Sequence, residues 1–89
     1  MASMLIHHHV KDFAAWKKVF DSKADLRAAG GELSAQLYRS ESDPNEITAI
    51  FQWDSLANAH SFAESPELKA AMEASGVDGK PSMYFLNEA

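Results

Sequence analysis

Residues 46–55 read EITAIFQWDS, and this stretch decides the fold. Its first eight residues are rich in β-branched and aromatic side chains, which favour an extended strand. The strand ends at Asp54-Ser55, and either residue can cap the amino terminus of a helix. The stretch therefore predicts a strand that leads directly into a helix, and the other elements are placed around that junction.

A second strand precedes this one. Residues 32–40 alternate between apolar and polar side chains, and residues 42–45 (Ser-Asp-Pro-Asn) have the composition of a tight turn. We therefore predict that the two strands form a β-hairpin.

The first thirty residues predict a strand and a helix. Residues 4–10 alternate as a strand does, so that His8 shares a face with Met4, Ile6 and Val10. Asp12 is a good N-cap, and apolar residues then recur at helical spacing until Gly30-Gly31, where the helix is expected to end. The apolar positions of that helix are Phe13, Trp16, Val19, Phe20 and Leu26.

The last third of the chain predicts a broken helix and a final strand. Ser65-Pro66 interrupts the second helix, because the residue before Pro disfavours the α conformation, and Ser65 then caps a new segment that Gly76 ends. After Gly79-Lys80-Pro81, residues 82–86 are predicted to form the last strand.

The order β-α-β-β-α-β predicts an α+β, ferredoxin-like fold in a single domain, residues 1–89, with an antiparallel four-stranded sheet and a broken second helix. Strands one and three would lie in the centre, and both helices would cover one sheet face. That face is expected to hold Met4, Ile6, Val10, Leu33, Ala35, Leu37, Ala49, Phe51 and Trp53.

The other sheet face is mixed but uncharged, whereas a face in contact with water normally carries Lys and Glu. We therefore expect a second copy of the chain to cover it, giving a homodimer. The residues of this face are His7, His9, Ser34, Gln36, Tyr38, Thr48, Ile50 and Tyr84.

Composition excludes several functional classes. The 89 residues carry 8 Lys+Arg against 13 Asp+Glu, so the net charge of −5 disfavours nucleic acid and anionic membranes as partners. The absence of Cys excludes thiolate catalysis and Cys-ligated metals, and no apolar run is long enough to span a bilayer. No phosphate loop or dinucleotide fingerprint is present. We expect a cytoplasmic protein without a cofactor.

His7, His8 and His9 are the candidate catalytic residues. A histidine in an apolar cleft can accept a proton from a phenol or an enol, because the pKa of imidazole lies near neutrality. Buried histidines that only make hydrogen bonds are the alternative. The sequence shows no third ligand beside the His7/His9 pair, so no metal site is predicted. Candidate ligand-binding residues are Trp53, Phe62, His60, Tyr38 and Tyr84.

Four segments together resemble the small stand-alone proteins of the dimeric α/β-barrel superfamily that are similar to antibiotic biosynthesis monooxygenases, many of them labelled only as cyclase candidates or as uncharacterised. The segments are HHVKDFAAW (8–16), DPNE (43–46), FQWDS (51–55) and FAESPELK (62–69). The resemblance implies a homodimer in which two sheets face each other and form a dimeric α/β barrel, with a ligand cleft between sheet and helices. Related members include cofactor-free monooxygenases, isomerases and haem-degrading enzymes.

The haem-degrading branch of that superfamily uses an Asn on the first strand, a Trp in the second helix and a His after the helix break. The nearest positions here hold His8, Phe62 and Met72, which disfavours haem degradation. Two functions remain open. The first is a cofactor-independent monooxygenase-, isomerase- or cyclase-like enzyme acting on a small apolar or aromatic molecule. The second is a non-catalytic ligand-binding or structural dimer whose histidines lie buried in the interface.

Overall fold

A computed structural model describes residues 2–89 of the chain, and within them it contains four strands and four helices. The elements are β1 (Ala2–Val10), α1 (Phe13–Ser22), α2 (Ala24–Gly30), β2 (Glu32–Arg39), β3 (Glu46–Trp53), α3 (Leu56–Ala63), α4 (Pro66–Ser75) and β4 (Val77–Asn87).

The four strands form one antiparallel sheet in the order β2-β3-β1-β4, which confirms the ferredoxin-like fold. The central strands β1 and β3 place alternate residues under the helices, as the predicted pattern required. Ala59 of α3 and Phe62 pack onto this face, and so do Phe20 of α1 and Met72 of α4. The most deeply buried large side chains are Trp53, Met4, Ile47 and Val10.

Side-chain caps start three of the helices where the sequence predicted them. Asp12 accepts a hydrogen bond from the Ala15 backbone N–H (3.0 Å), and Ser55 and Ser65 each accept one from the third residue after them. Pro66 occupies the first turn of α4, where a missing N–H is tolerated. The Asp12 and Ser55 caps fix the points at which the chain leaves the sheet, and the Ser65 cap fixes the start of α4 after α3.

The first predicted helix is in fact two helices, separated at Lys23. The Lys23 N–H bonds to the carbonyl of Phe20 (3.2 Å) rather than continuing the α-helical pattern. The break rotates α2, so that Arg27 is buried (7% exposed) whereas Leu26 is 37% exposed. The prediction of one continuous helix, with Leu26 as its last apolar position, was therefore wrong.

A β-bulge changes the faces at the start of β2. Glu32 pairs with Trp53 and Ser34 with Gln52, so Leu33 is an extra residue in the ladder and is 59% exposed. Its predicted place on the helix-covered face was wrong, because strict alternation does not hold across a bulge. Glu32 occupies that face instead.

The last strand is longer than predicted. It begins at Val77, directly after Gly76, and residues 79–81 lie within it instead of forming a loop. His7 pairs with Ser82 and His9 pairs with Asp78. Residues 79–81 of β4 therefore lie opposite the single residue His8 of β1. The irregularity brings Asp78 beside the end of β1. No helix among the described residues is long and apolar enough to cross a membrane.

Gly31, which follows α2, is hydrogen-bonded to the residue that follows β3. Its φ of 119° is left-handed, its carbonyl accepts the N–H of Asp54 (2.9 Å), and a Cβ added to it would overlap the Asp54 carboxylate. Gly79 has a similar φ of 80°, but nothing lies within 4 Å of a Cβ added there.

We therefore expect Gly79→Ala to lower the free energy of unfolding by about 1 kcal/mol, the cost of placing a Cβ in the left-handed region. Gly31→Ala should lower it by at least about 2 kcal/mol, because steric overlap adds to the same backbone strain. Urea unfolding of both variants measures the difference. Equal losses would contradict the proposed close approach of Gly31 and Asp54.

Candidate functional site

His8 lies at the centre of the candidate site. The pleat of β1 places it between Ile6 and Val10 on the helix-covered face, and only 6% of the residue is exposed. Its ring meets Trp16 of α1 edge-on, with the ring centroids 5.5 Å apart. A polar ring therefore lies within an apolar layer, as the predicted strand alternation required.

Neither ring nitrogen of His8 has a hydrogen-bond partner among the described residues, and both are buried. Burying a polar atom without a partner costs about 1–3 kcal/mol, so native proteins rarely retain such a group. The pKa of His8 is lowered from 6.5 to about 4, mainly by burial and to a lesser extent by nearby His7, and Glu46 opposes the shift. The imidazole is consequently neutral at physiological pH, with a free lone pair.

His8 faces a partly open cavity of about 60 Å³ between the sheet and the helices. One water needs about 10–15 Å³ on this measure, so the cavity has room for several waters or a small ligand. Trp16 and Phe20 form one wall, and Phe62 and Met72 form another. The cavity is thus an apolar compartment with a neutral base in its wall.

Arg27, like Lys23, contributes positive charge at the cavity. Its Nε donates to a carboxylate oxygen of Glu32 (2.7 Å), its Nη1 donates to the carbonyl of Phe20 (2.7 Å), and its guanidinium lies 3.7 Å from the centre of the Phe20 ring. Burial raises the pKa of Glu32, and Arg27 opposes that rise. The bulge in β2 creates this pair by turning Glu32 inward.

Arg27 was not among the site residues predicted from the sequence. A signal was available, because Arg27 lies seven residues after Phe20 and therefore near the same helical stripe. Arg27 becomes buried only because the helix breaks at Lys23, and the sequence did not reveal this break.

The predicted ligand-binding residues separate into three places. Phe62 lines the cavity, and Trp53 lies behind it with the two ring centroids 5.2 Å apart. His60 is exposed on α3 and stacks on Phe85 (3.7 Å between centroids). Tyr38 and Tyr84 are 52% and 56% exposed on the sheet face that no helix covers. Of the five, only Phe62 lies in the cavity wall together with His8.

His7 and His9 point to the uncovered sheet face. His7 Nε2 lies 2.8 Å from a carboxylate oxygen of Glu46, and His9 lies 3.3 Å from both Asp43 and Asp78. The three consecutive histidines therefore occupy two different environments. Only His8 adjoins the cavity, and the residues that could hold a metal ion lie on the opposite face of the sheet, where His9, Asp43 and Glu46 converge.

Comparison with known proteins gives the same fold. A candidate antibiotic biosynthesis monooxygenase from Bordetella bronchiseptica superimposes with a TM-score of 0.82 at 15% identity, over 99% of this chain and 96% of that one. SnoaB, a cofactor-independent oxygenase from Streptomyces nogalater (N63A mutant), gives 0.77 at 16% identity, over 98% and 91%. A candidate monooxygenase of the same kind from Caulobacter crescentus gives 0.78 at 22% identity, over 99% and 89%.

A search of curated proteins found no match. The sequence model of the family described as antibiotic biosynthesis monooxygenase matches residues 4–74, which include most of β1, nearly all of the cavity lining and the four helices except Ser75 at the end of α4. This chain therefore belongs to the antibiotic biosynthesis monooxygenase family.

Proposed function

We propose that this protein is a cofactor-independent oxygenase that removes a proton from a small apolar or aromatic substrate inside the cavity. The observation that carries the proposal is His8, a buried imidazole whose two nitrogens have no partner among residues 2–89 and which adjoins an apolar cavity. A group that destabilises the fold in this way is typical of a functional site.

In the proposed reaction, a ring nitrogen of His8 accepts a proton from a phenol, an enol or an activated C–H group of the substrate. The lowered pKa keeps the lone pair free beforehand. Once the substrate anion has formed, its attraction to the imidazolium is strong because the surroundings are apolar, and this attraction offsets the weak basicity of the free site. The Arg27 guanidinium supplies further positive charge at the wall.

The carbanion or enolate would then give its electron pair to dioxygen and form a C–O bond to a peroxide. The peroxide would take the proton back from the His8 imidazolium and lose water to leave a carbonyl group, so that neither a metal nor a flavin is required. SnoaB, which shares the fold, is described as a cofactor-independent oxygenase, and this supports the choice of reaction. Isomerisation or cyclisation would begin with the same proton transfer and would proceed without oxygen.

The second candidate function is a non-catalytic protein that binds a ligand or serves as a structural dimer. The observation that favours it is the size of the cavity, which at about 60 Å³ admits only a small ligand unless the helices move apart. Under this hypothesis His8 fills space in the core and transfers no proton.

Replacing His8 by Leu distinguishes the two candidates. We expect the variant to be at least as stable as the wild type, because Leu removes two unsatisfied polar atoms. Oxygen consumption with anthrone as the probe, measured with an oxygen electrode in buffer containing EDTA, should fall about 100-fold or more, the usual contribution of a general base. Phenol and 1-naphthol serve as smaller binding probes through the fluorescence of Trp16, which lines the cavity.

His60→Leu is the matched control, since it removes an imidazole that lies outside the cavity wall. It should retain the wild-type rate. Binding of the probes with no oxygen uptake by the wild type would favour the non-catalytic candidate, and so would an unchanged rate in His8→Leu.

Acid should weaken the fold through His8. The pKa of about 4 in the folded protein lies below 6.5, so the unfolded chain takes up a proton at a higher pH than the folded chain does. The stability that depends on neutral His8 is fully present above pH 6.5. The free energy of unfolding therefore falls as the pH decreases from 6.5 towards 4. From pH 7 to pH 5 the wild type should lose about 2 kcal/mol more than His8→Leu in urea unfolding. Parallel losses would show that His8 is protonated normally in the fold.

We also propose that two copies of the chain associate through the uncovered sheet face. Leu5, Ile50 and Leu86 lie there beside Tyr38 and Tyr84, and a face of this composition favours burial against another protein surface. A small chain also gains proportionally more buried area by association.

Sedimentation velocity at micromolar concentration should give twice the chain mass of 9.8 kDa. Ile50→Glu should shift the wild-type dimer to monomer, because two carboxylates would be buried at the interface. Lys18→Glu, which also introduces a carboxylate but at an exposed position of α1, should leave the dimer intact. A wild-type monomer, or a dimer that persists in Ile50→Glu, would refute this interface.

A further inference from the structure

Five side chains, of types that bind metals or orient metal-binding residues in proteins, lie together at one end of the uncovered sheet face. His9 comes from β1, Asp43 from the β2–β3 turn and Glu46 from the start of β3, and their ligand atoms all lie within 4.8 Å of one another. His7 and Asp78 flank this group. We call the five residues the sheet-end cluster.

The flanking carboxylate of Asp78 lies beside the Nδ1 edge of His9. Asp78 lies 3.3 Å from Nδ1 of His9, on the side of the ring away from Asp43, which lies 3.3 Å from Nε2. A carboxylate that accepts the Nδ1 proton leaves the Nε2 lone pair free, and metal-ligating histidines are typically held in this way. Asp78 reaches this position because of the irregular pairing of β4, which the sequence did not predict.

The turn orients Asp43 in the same sense. Its Oδ1 accepts the backbone N–H of Asn45 (2.9 Å), which leaves Oδ2 directed at His9. Glu46 is held through one oxygen by Nε2 of His7 (2.8 Å). His9 and Asp43 thus each have one atom close to a neighbouring group and another directed at the centre of the cluster.

The charge of the cluster also favours a cation. Asp43, Glu46 and Asp78 carry up to three negative charges, and no Lys or Arg among residues 2–89 forms a salt bridge with any of them. The two histidines are their only ionic partners in this part of the molecule. A bound divalent cation would compensate this charge more completely.

We propose that the sheet-end cluster binds a divalent transition metal of the Zn²⁺ type through His9 Nε2, Asp43 Oδ2 and Glu46, with Asp78 and His7 as supporting residues. Imidazole and carboxylate are the nitrogen and oxygen ligands that Zn²⁺ takes in proteins. Two such ligands at about 2.1 Å from a tetrahedral ion lie about 3.4 Å apart. The observed His9–Asp43 separation of 3.3 Å agrees with this spacing. The site is separate from the cavity, because His8 points to the opposite face of the sheet.

The test is titration of the full chain with Zn²⁺ by calorimetry, and with Co²⁺ by visible absorption, which reports on nitrogen and oxygen coordination. We expect one ion per chain. Asp43→Asn should weaken Zn²⁺ binding at least about tenfold, because it removes the anionic ligand and leaves every histidine in place. His9→Gln should weaken it by at least as much.

Two variants separate this site from simple chelation by neighbouring histidines. His60→Gln removes an imidazole far from the cluster and should bind Zn²⁺ as the wild type does. Asp78→Asn should weaken binding less than Asp43→Asn, since it alters an orienting residue and not a ligand. Thermal melts without metal confirm that each variant is folded. Wild-type affinity in Asp43→Asn, or no saturable binding by the wild type, would overturn the proposal.

Discussion

The alternation of β1 is the constraint on which the rest of the structure depends. This strand is hydrogen-bonded along both edges, to β3 and to β4, so the pairing with each neighbouring strand fixes its register. Successive side chains must therefore point to opposite faces, and a slip of one residue would exchange the faces of His7, His8 and His9. Because the core lies on one side of the sheet only, the alternation of β1 places His8 at the cavity and places His7 and His9 on the uncovered face.

Two irregularities in the sheet provide the polar groups that regular alternation does not. The bulge in β2 turns Glu32 towards the helices, where its buried pair with Arg27 (8% and 11% side-chain exposure for Arg27 and Glu32) adds charge to an otherwise apolar wall. Such a pair adds little net stability, since both groups lose hydration. Its contribution is a fixed guanidinium beside the cavity. The irregular start of β4 brings Asp78 to His9 in the same manner.

Local chemistry made much of the fold predictable. The alternation of residues 46–53, the caps Asp12, Ser55 and Ser65, and the stop at Gly76 all act within a few residues, so the sequence displays them directly. The same local rule put His8 on the strand face of Met4, Ile6 and Val10, without showing which of the three histidines adjoins a cavity. The features that escaped prediction depend on pairing between distant segments. The bulge at Leu33 exists only relative to β3, and Asp78 is positioned only by its partner on β1.

The chemical character of His8 comes from the core and not from its charged neighbours. His7 and Glu46 act on it from the other face of the sheet, one lowering and the other raising its pKa. These two groups lie 2.8 Å apart, and their effects on the His8 ring are opposite in sign. Burial is the dominant cause that remains. A base made in this way needs no polar partner to hold it neutral, and its proton affinity rises only when an anion forms beside it in the cavity. The apolar wall built by Trp16 and Phe20 is therefore as much a part of the proposed site as the imidazole itself.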